Sequence, residues 1–199
     1  MNTKKQALNR REVIARLLRD RGDALAVSSL GNPTYDLSAA GDTPLNFYLW
    51  GAMGGAAMVG LGMAIAQPER RVIVIVGDGE MMMALGSLAT IACEKQANLA
   101  IIVLNNEHYA ETGMQPAHAG RGVKLGVVAQ GVGFEDVALV EDQEGVERLA
   151  DRLYRSSGPL FAEIKITTGP VPVSLPPRDG PLLRSRFRQA VLGDMSQTC

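Results

Sequence analysis

Short apolar segments alternate along the chain with longer segments in which apolar residues recur at helical spacing. The strand-like segments are mostly apolar, and they occupy residues 24–30, 71–76, 99–104, 137–140 and 160–166. The helix-like segments occupy residues 10–21, 51–66, 80–95, 125–131 and 143–155. Apolar strands that alternate with helices are typical of a parallel sheet buried on both faces. The pattern therefore predicts an α/β fold with a parallel sheet covered by helices on both faces.

The remaining segments connect or flank this core. Gly31-Asn32-Pro33 is expected to form a turn after the first strand. The polar, glycine-rich segment 105–124 is expected to be a long functional loop. Residues 169–181 are rich in proline, which cannot donate to a sheet, so this tail is expected to cross the surface before a short helix. The chain thus divides into an N-terminal helix (1–23), a central domain (24–168) and a proline-rich tail with a short helix (169–199).

Residues 45–66 contain no charged side chain, and a run of 22 residues is long enough to cross a bilayer. However, five glycines fall within residues 51–66, and the segment continues through Gln67-Pro68-Glu69-Arg70-Arg71 into a short strand. Helices that are apolar on all sides also occur in the cores of layered soluble domains. We therefore expect a buried helix here rather than a membrane span.

Composition and charge exclude several classes of protein. A chain of 199 residues with 46% hydrophobic residues is long enough to bury one sizeable core. The formal net charge of −1 argues against nucleic-acid binding, because basic residues gather only in 4–21 and 178–188. Two cysteines, Cys93 and Cys199, are too few for a zinc cluster or a disulfide framework. No apolar segment follows the basic N-terminus at once, so we expect a reduced, cytoplasmic compartment.

Polar residues follow two of the predicted strands. Gly77-Asp78-Gly79 comes after one strand, and Asn105-Asn106 comes after the next. Ligands of open parallel sheets bind beyond the carboxyl ends of the strands, where helix N-termini also point. A carboxylate and an amide oxygen suit Mg²⁺ whose coordination is completed by phosphate oxygens. The two glycines would let the backbone approach a diphosphate, so this edge is predicted to bind a metal and a diphosphate.

Gly-Asp-Gly alone is also a common turn, with Asp as a helix N-cap. The pairing of this turn with Asn-Asn, 28 residues from Asp78 to Asn106, is more specific. It resembles the cofactor signature of the thiamin diphosphate-dependent enzymes over residues 24–166, their diphosphate-binding domain. The resemblance implies the thiamin diphosphate-binding fold, with thiamin diphosphate and Mg²⁺ as cofactors. It also implies that the metal is bound by the side chains of Asp78 and Asn106 and by the main-chain carbonyl of His108.

A second segment, Leu49-Trp50-Gly51-Ala52-Met53-Gly54, is similar to the one that holds the aminopyrimidine ring in decarboxylases of this family. The resemblance implies that the Gly51 carbonyl accepts a hydrogen bond from the 4′-amino group and that Met53 wedges between the two rings. The alternative for Met53 is an ordinary core methionine. The cofactor-binding residues expected on this basis are Gly51, Ala52, Met53, Gly77, Asp78, Gly79, Glu80, Asn106, His108 and Tyr109.

Members of this family activate the cofactor with a glutamate from a separate pyrimidine-binding domain, and 199 residues leave no room for that domain. The resemblance therefore implies a partner α subunit that carries this glutamate, in a hetero-oligomer. An exposed apolar lip around Trp50 and Met53 is expected to need such a cover. Further similarity to the small subunit of split sulfopyruvate and phosphonopyruvate decarboxylases lies in three motifs: Gly31-Asn32-Pro33, Asn46-Phe47-Tyr48 and Thr112-Gly113-Met114-Gln115-Pro116. Met114 replaces the Gly or Asn expected there, which leaves the substrate open.

The resemblance thus implies a 2-oxo acid decarboxylase subunit whose substrate is a three-carbon acid with an anionic tail. Candidates for proton transfer are His108, His118 and Glu111, because they lie on the loop after Asn-Asn and histidine titrates near neutral pH. His118 together with Arg121 and Lys124 could bind the anionic tail, or these residues form an ordinary solvated loop. The functional alternatives are a non-catalytic cofactor-binding subunit and a subunit of another thiamin diphosphate-dependent carboligase or oxidoreductase.

Overall fold

The computed structural model describes residues 8–193. The start of the N-terminal region and the end of the tail, including Cys199, lie outside the described residues. In chain order the helices are α1 (Arg10–Leu18), α2 (Gly31–Ala39), α3 (Ala56–Ala66), α4 (Asp78–Met83), α5 (Leu85–Glu94), α6 (Leu125–Gly131), α7 (Gln143–Leu153) and α8 (Gly180–Leu192). The strands are β1 (Leu25–Ser28), β2 (Asn46–Tyr48), β3 (Val72–Gly77), β4 (Leu99–Asn105), β5 (His108–Tyr109), β6 (Gln115–Pro116), β7 (Asp136–Val140) and β8 (Leu160–Lys165).

Six of these strands form one parallel sheet in the order β2-β1-β3-β4-β8-β7. The chain passes from β1 outward to β2 and then returns to the other side of β1, where β3 pairs with it. The direction of winding therefore reverses between β1 and β3. In open parallel sheets such a reversal opens a crevice at the carboxyl ends of the strands, and ligands bind there.

Helices cover both faces of the sheet, which confirms the predicted fold class. Successive residues of a strand point to opposite faces, so Ile73 and Ile75 pack in one core while Val72 and Val74 pack in the other. The first core is shared with α1, α2 and α7, and the second with α3, α5 and α6. Burial on both faces explains why the central strands are apolar throughout.

The predicted element boundaries hold within a few residues in most places, and α6 has the predicted bounds. The single helix predicted for 80–95 is wrong, because the backbone at Ala84 (φ −107°, ψ 27°) separates α4 from α5. The helix predicted for 51–66 begins only at Ala56, after a loop that contains several positive φ angles. Gly31-Asn32-Pro33 begins helix α2 rather than a simple turn; Pro33 is tolerated there because the first helical turn needs no N–H partner.

The proline-rich segment crosses the surface beside α1 and α2, as predicted. Its carbonyl groups accept hydrogen bonds from the guanidinium of Arg11 (to Pro172, 2.6 Å) and the indole of Trp50 (to Pro177, 2.7 Å). Helix α8 then returns to the sheet, where the ring of Phe187 lies 5.1 Å from that of Phe47. Among residues 8–193, none of the helices combines the length and apolar character that a membrane crossing requires. The division at residues 23 and 168 stays a prediction.

Two glycines of α3 give a matched test of this packing. A Cβ on Gly60 would lie 2.2 Å from Cγ2 of Val74, whereas a Cβ on Gly62 would meet nothing within 4 Å. We expect Gly60→Ala to lower the free energy of unfolding by about 1–3 kcal/mol, because helix and sheet must separate. Gly62→Ala should instead raise it by up to about 1 kcal/mol through helix propensity. Urea denaturation followed by circular dichroism measures both, and equal effects would contradict the close contact between α3 and β3.

Candidate active site

A cavity of about 390 Å³ lies at the carboxyl edge of the sheet, at the reversal between β1 and β3. Its walls come mainly from the start of α2, the end of β3 and helix α4, the loop before α3 and the segment after β4. The lining residues are Arg10, Leu30, Gly31, Asn32, Pro33, Met53, Gly77, Asp78, Gly79, Glu80, Met83, Leu104, Asn106, His108, Tyr109, Ala110, Glu111, Thr112 and Ile166. The crevice predicted from the strand order is therefore the place where most of the predicted site residues meet.

Asp78 is the most deeply buried acid of the cavity wall, with 2% of the residue exposed. Burial raises the pKa of its carboxyl group to about 6, although backbone N–H groups of Asp78, Asn106 and Gly79 donate to it and oppose the rise. Its Oδ2 atom is buried and has no hydrogen-bond partner within the chain. A buried carboxylate oxygen without a partner is unfavourable unless a cation or a donor satisfies it. This atom therefore fits the role of a metal ligand.

The two asparagines after β4 have different surroundings. The amide of Asn105 donates to Glu163 (2.7 Å) and accepts from the backbone N–H of Glu107 (3.0 Å), so Asn105 joins the ends of β4 and β8. Asn106 faces the cavity, and its Oδ1 accepts from the backbone N–H of His108 (3.0 Å). The amide of Asn106 and the carboxylate of Asp78 thus line one cavity. Within residues 8–193 no group of three or more His, Cys, Asp or Glu side chains could hold a metal, and the predicted set contains only one such side chain.

The glycines on either side of Asp78 have different neighbours. A Cβ on Gly77 would meet only Cγ of Pro33, at 4.0 Å, which leaves that wall open to a ligand. A Cβ on Gly79 would lie 2.4 Å from Cε1 of Tyr109. Gly79 therefore makes room for an aromatic ring of the same chain, a contact that the sequence did not predict. The hydroxyl of Tyr109 lies 3.2 Å from Nδ1 of His118.

The three candidates for proton transfer occupy different positions. His108 lines the cavity, with its Nδ1 atom 2.8 Å from the carbonyl oxygen of Asn106. Glu111 also lines it and lies against Gly31, where a Cβ would be 3.2 Å from its Oε1 atom. His118 does not line the cavity and reaches it only through Tyr109, and neither Arg121 nor Lys124 lines it. Their proposed roles in proton transfer and substrate binding stay predictions.

The segment predicted to hold the aminopyrimidine ring forms a loop between β2 and α3. Met53 lines the cavity and is 36% exposed, whereas Gly51 and Ala52 do not line it. Trp50 is half-buried, and the guanidinium of Arg178 lies 5.6 Å from its ring centroid. The exposed apolar lip predicted here is thus present at Met53 but not at Trp50, which the proline-rich tail of the same chain covers.

Two buried residues of the cavity wall make contacts that the sequence did not indicate. Glu80 is 5% exposed, and its carboxyl group accepts from the backbone N–H groups of Gly54 (3.3 Å) and Ala56. Burial raises the pKa of this carboxyl group to about 7. Arg10 is also 5% exposed; its Nη1 donates to the Asn32 carbonyl (3.2 Å) and forms an ion pair with the fully buried Asp36. The helical pattern of α1 offered no signal that Arg10 faces inward.

The C-terminal TPP binding domain of thiamine pyrophosphate enzymes matches residues 31–164 of this chain. The chain belongs to the thiamine pyrophosphate enzyme family. Thiamine pyrophosphate is thiamin diphosphate, so this finding agrees with the cofactor resemblance seen in the sequence. The matched range includes the cavity-lining starts of α2 and α4 and the loop before α3.

Relatives within this family differ in how much of their length the chain covers. The sulfopyruvate decarboxylase subunit beta of Methanothermobacter thermautotrophicus is 37% identical over 186 residues, which cover 94% of this chain and 97% of that protein. The phosphonopyruvate decarboxylase of Streptomyces viridochromogenes is 35% identical over 147 residues, which cover 74% of this chain and 36% of that protein. The benzoylformate decarboxylase structure from Polynucleobacter necessarius superposes with a TM-score of 0.68 at 16% identity, over 83% of this chain and 34% of that one. The last comparison supports the fold alone.

Asp78 gives a test of the site that needs no turnover. Its native pKa of about 6 lies above the ordinary value of 3.8, so the folded state binds more protons between these values. Stability should therefore fall as the pH rises from about 4 to about 6 and stay lower above that. In the cofactor-free chain at pH 7, Asp78→Asn should remove the cost of burying a charged carboxylate. It should therefore raise the free energy of unfolding by up to about 3 kcal/mol. Urea titrations at pH 4.5 and 7 measure the difference.

Asp151→Asn is the control, because it removes the same charge from an exposed position. It should change stability by less than about 0.5 kcal/mol at both pH values. Mg²⁺ with thiamin diphosphate should stabilise the wild-type chain but not Asp78→Asn. The interpretation of Asp78 as a metal ligand would fail if Mg²⁺ with thiamin diphosphate stabilised Asp78→Asn as much as Asp151→Asn.

Proposed function

We propose that this chain is the thiamin diphosphate- and Mg²⁺-binding subunit of a 2-oxo acid decarboxylase. The observation that supports it most directly is the unpartnered Oδ2 atom of Asp78, buried beside Asn106 in the wall of the cavity. The family match supports the cofactor, and the names of the relatives that align with this chain support decarboxylation. When bound, thiamin diphosphate supplies the carbon nucleophile and the electron sink that loss of CO₂ from a 2-oxo acid requires.

The chain's own residues hold and enclose the cofactor in this proposal. Asp78 and Asn106 bind Mg²⁺ through their side chains and His108 through its carbonyl oxygen, a set of hard oxygen ligands that suits this ion. Gly77 leaves the backbone open to the diphosphate. Met53 forms an apolar wall that excludes water from the reacting atoms. His108, with its Nδ1 proton directed to the carbonyl of Asn106, keeps Nε2 as a proton acceptor.

The substrate is proposed to be a three-carbon 2-oxo acid with an anionic tail, such as sulfopyruvate or phosphonopyruvate. Two relatives carry these substrates in their names. Arg10 lies in the cavity wall and forms an ion pair with the buried Asp36, which also pairs with the partly exposed Arg11, so the three groups together have one positive charge in excess. A guanidinium in the wall of a cavity favours an anionic substrate over a neutral one, and Arg10 is the one arginine or lysine among the lining residues that the structure describes, which also include three acids. Arg10 is already paired, so it contributes through its charge rather than through a free donor.

A second chain is proposed to complete the site. This chain covers 97% of a protein named as subunit beta but 36% of a phosphonopyruvate decarboxylase, so about two thirds of the latter has no counterpart here. Within residues 8–193 three acids line the cavity, and each is engaged: Asp78 at the metal position, Glu80 by the loop before α3, and Glu111 by the hydroxyl of Tyr35. The glutamate that activates the cofactor therefore comes from an α subunit with a pyrimidine-binding domain. We place the complex in the cytoplasm, because Cys93 is exposed as a free thiol.

Reconstitution tests this function. The chain alone, with Mg²⁺ and thiamin diphosphate, should release no CO₂ from sulfopyruvate, phosphonopyruvate or pyruvate. Mixed with a candidate α subunit, a short α/β chain carrying the activating glutamate, it should decarboxylate one of the two substrates with anionic tails and prefer it to pyruvate. Turnover by the isolated chain would contradict the shared site. No turnover with any such partner, despite cofactor binding, would favour a non-catalytic subunit.

Metal ligation is tested in the reconstituted complex. Asp78→Ala should lower kcat/KM more than about 100-fold, because the metal and the diphosphate lose their anchor. Asp151→Ala, the matched change at an exposed position, should keep kcat/KM within twofold. Circular dichroism establishes that both variants fold. Near-normal activity of folded Asp78→Ala would exclude this residue as a ligand of the metal.

A further inference from the structure

The loop before α3 has a strained backbone. Trp50 and Ala52 have φ angles of 53° and 49°, a left-handed conformation that non-glycine residues rarely adopt, and Gly54 has φ 92°. Such a conformation persists only where the surrounding structure holds it. The N-terminal side of the loop is held by β1, because the backbone N–H groups of Leu49 and Trp50 donate to the carbonyls of Ser28 and Ser29 (both 2.9 Å).

The C-terminal side of the loop is held by Glu80. Its carboxyl group accepts from the backbone N–H of Gly54 at 3.3 Å and from that of Ala56 at the start of α3. The hydroxyl of Ser29 lies 3.2 Å from the carbonyl oxygen of Gly51 and also contacts the carboxyl group of Glu80, so its single proton is directed to one of these two acceptors. One buried side chain therefore contacts both ends of the loop, directly at Gly54 and through Ser29 at Gly51.

Glu80 also stands two residues after Asp78 in the same short helix, α4. The segment proposed to bind the metal and the diphosphate is thus connected by one carboxyl group to the segment predicted to bind the aminopyrimidine ring. A residue that only capped α3 would need the contact with Ala56 alone. The additional contacts with Gly54 and Ser29 fix the path of residues 51–54.

From these contacts we propose that Glu80 is a positioning residue, which sets the carbonyl of Gly51 and the side chain of Met53 for the pyrimidine end of the cofactor. The proposal rests on the proposed function in so far as the ligand is thiamin diphosphate. Glutamine can reproduce the contacts, because its amide oxygen accepts from the two N–H groups and its NH₂ group donates to Ser29. Alanine leaves the N–H groups of Gly54 and Ala56 without this acceptor.

The test compares Glu80→Ala and Glu80→Gln with Gly60→Ala, which weakens α3 without a contact to the loop. Trp50, the single tryptophan of the chain, reports the state of the loop in the cofactor-free full-length protein. Glu80→Ala should shift the Trp50 emission, whereas Glu80→Gln and Gly60→Ala should not. In the complex with the α subunit, the Kd of thiamin diphosphate at saturating Mg²⁺ should rise at least tenfold in Glu80→Ala and stay within threefold in the other two.

An unchanged Kd in Glu80→Ala would overturn the proposal, and so would an equal rise in Gly60→Ala, which would reduce Glu80 to a contributor to stability. Failure of the wild-type complex to bind thiamin diphosphate would overturn the proposed function instead. The role of Glu80 in shaping the loop is then judged by Trp50 emission alone. Unchanged emission in Glu80→Ala would refute that role.

Discussion

The candidate site depends on the parallel pairing of β3 with β4, which brings Asp78 to the backbone N–H of Asn106, a group that opposes the rise in the pKa of the Asp78 carboxyl group. β3 and β4 are paired in parallel up to Gly77 and Leu104, so the residues that follow them meet at the same edge. The contact satisfies only part of the carboxylate, because Oδ2 keeps no partner. A fold that buries an acid and leaves one of its oxygens unpaired gives up stability at neutral pH, and a cation bound there would restore it.

The three acids that line the cavity differ in the groups that contact their carboxyl groups. Asp78 receives backbone N–H groups and remains incomplete, whereas Glu80 is fully occupied by the loop before α3. Glu111 lies against Gly31, and burial together with the charge of Glu111 raises the pKa of Tyr35. Neighbouring carboxyl groups with different environments take different roles. In this chain the incomplete one is suited to the metal, and the complete one to holding backbone.

The sequence was sufficient to predict the repeating strand and helix elements and the contacts that follow directly from their order in the chain. The apolar runs predicted the parallel sheet, and parallel pairing brought the turns after β3 and β4 together. Contacts between distant segments that do not follow from strand pairing could not be predicted, because nothing local specifies them. Arg10 fits a surface position of an amphipathic helix but faces the cavity, and Glu80 fits a helix start but holds a loop 26 residues earlier. β2 is too short, at three residues, to leave a pattern.

One side of the site is covered by the chain itself and the other is exposed, and this difference indicates where a partner subunit binds. On one side the chain covers its own residues, since Pro177 accepts from the indole of Trp50 and Arg178 lies over its ring. On the other side Met53 and Met83 line the cavity and are 36% and 63% exposed. Methionine side chains adapt to irregular apolar surfaces. A subunit that supplies the activating glutamate would therefore approach over these two methionines, and its apolar contact there would exclude water from the same cavity into which its carboxyl group reaches.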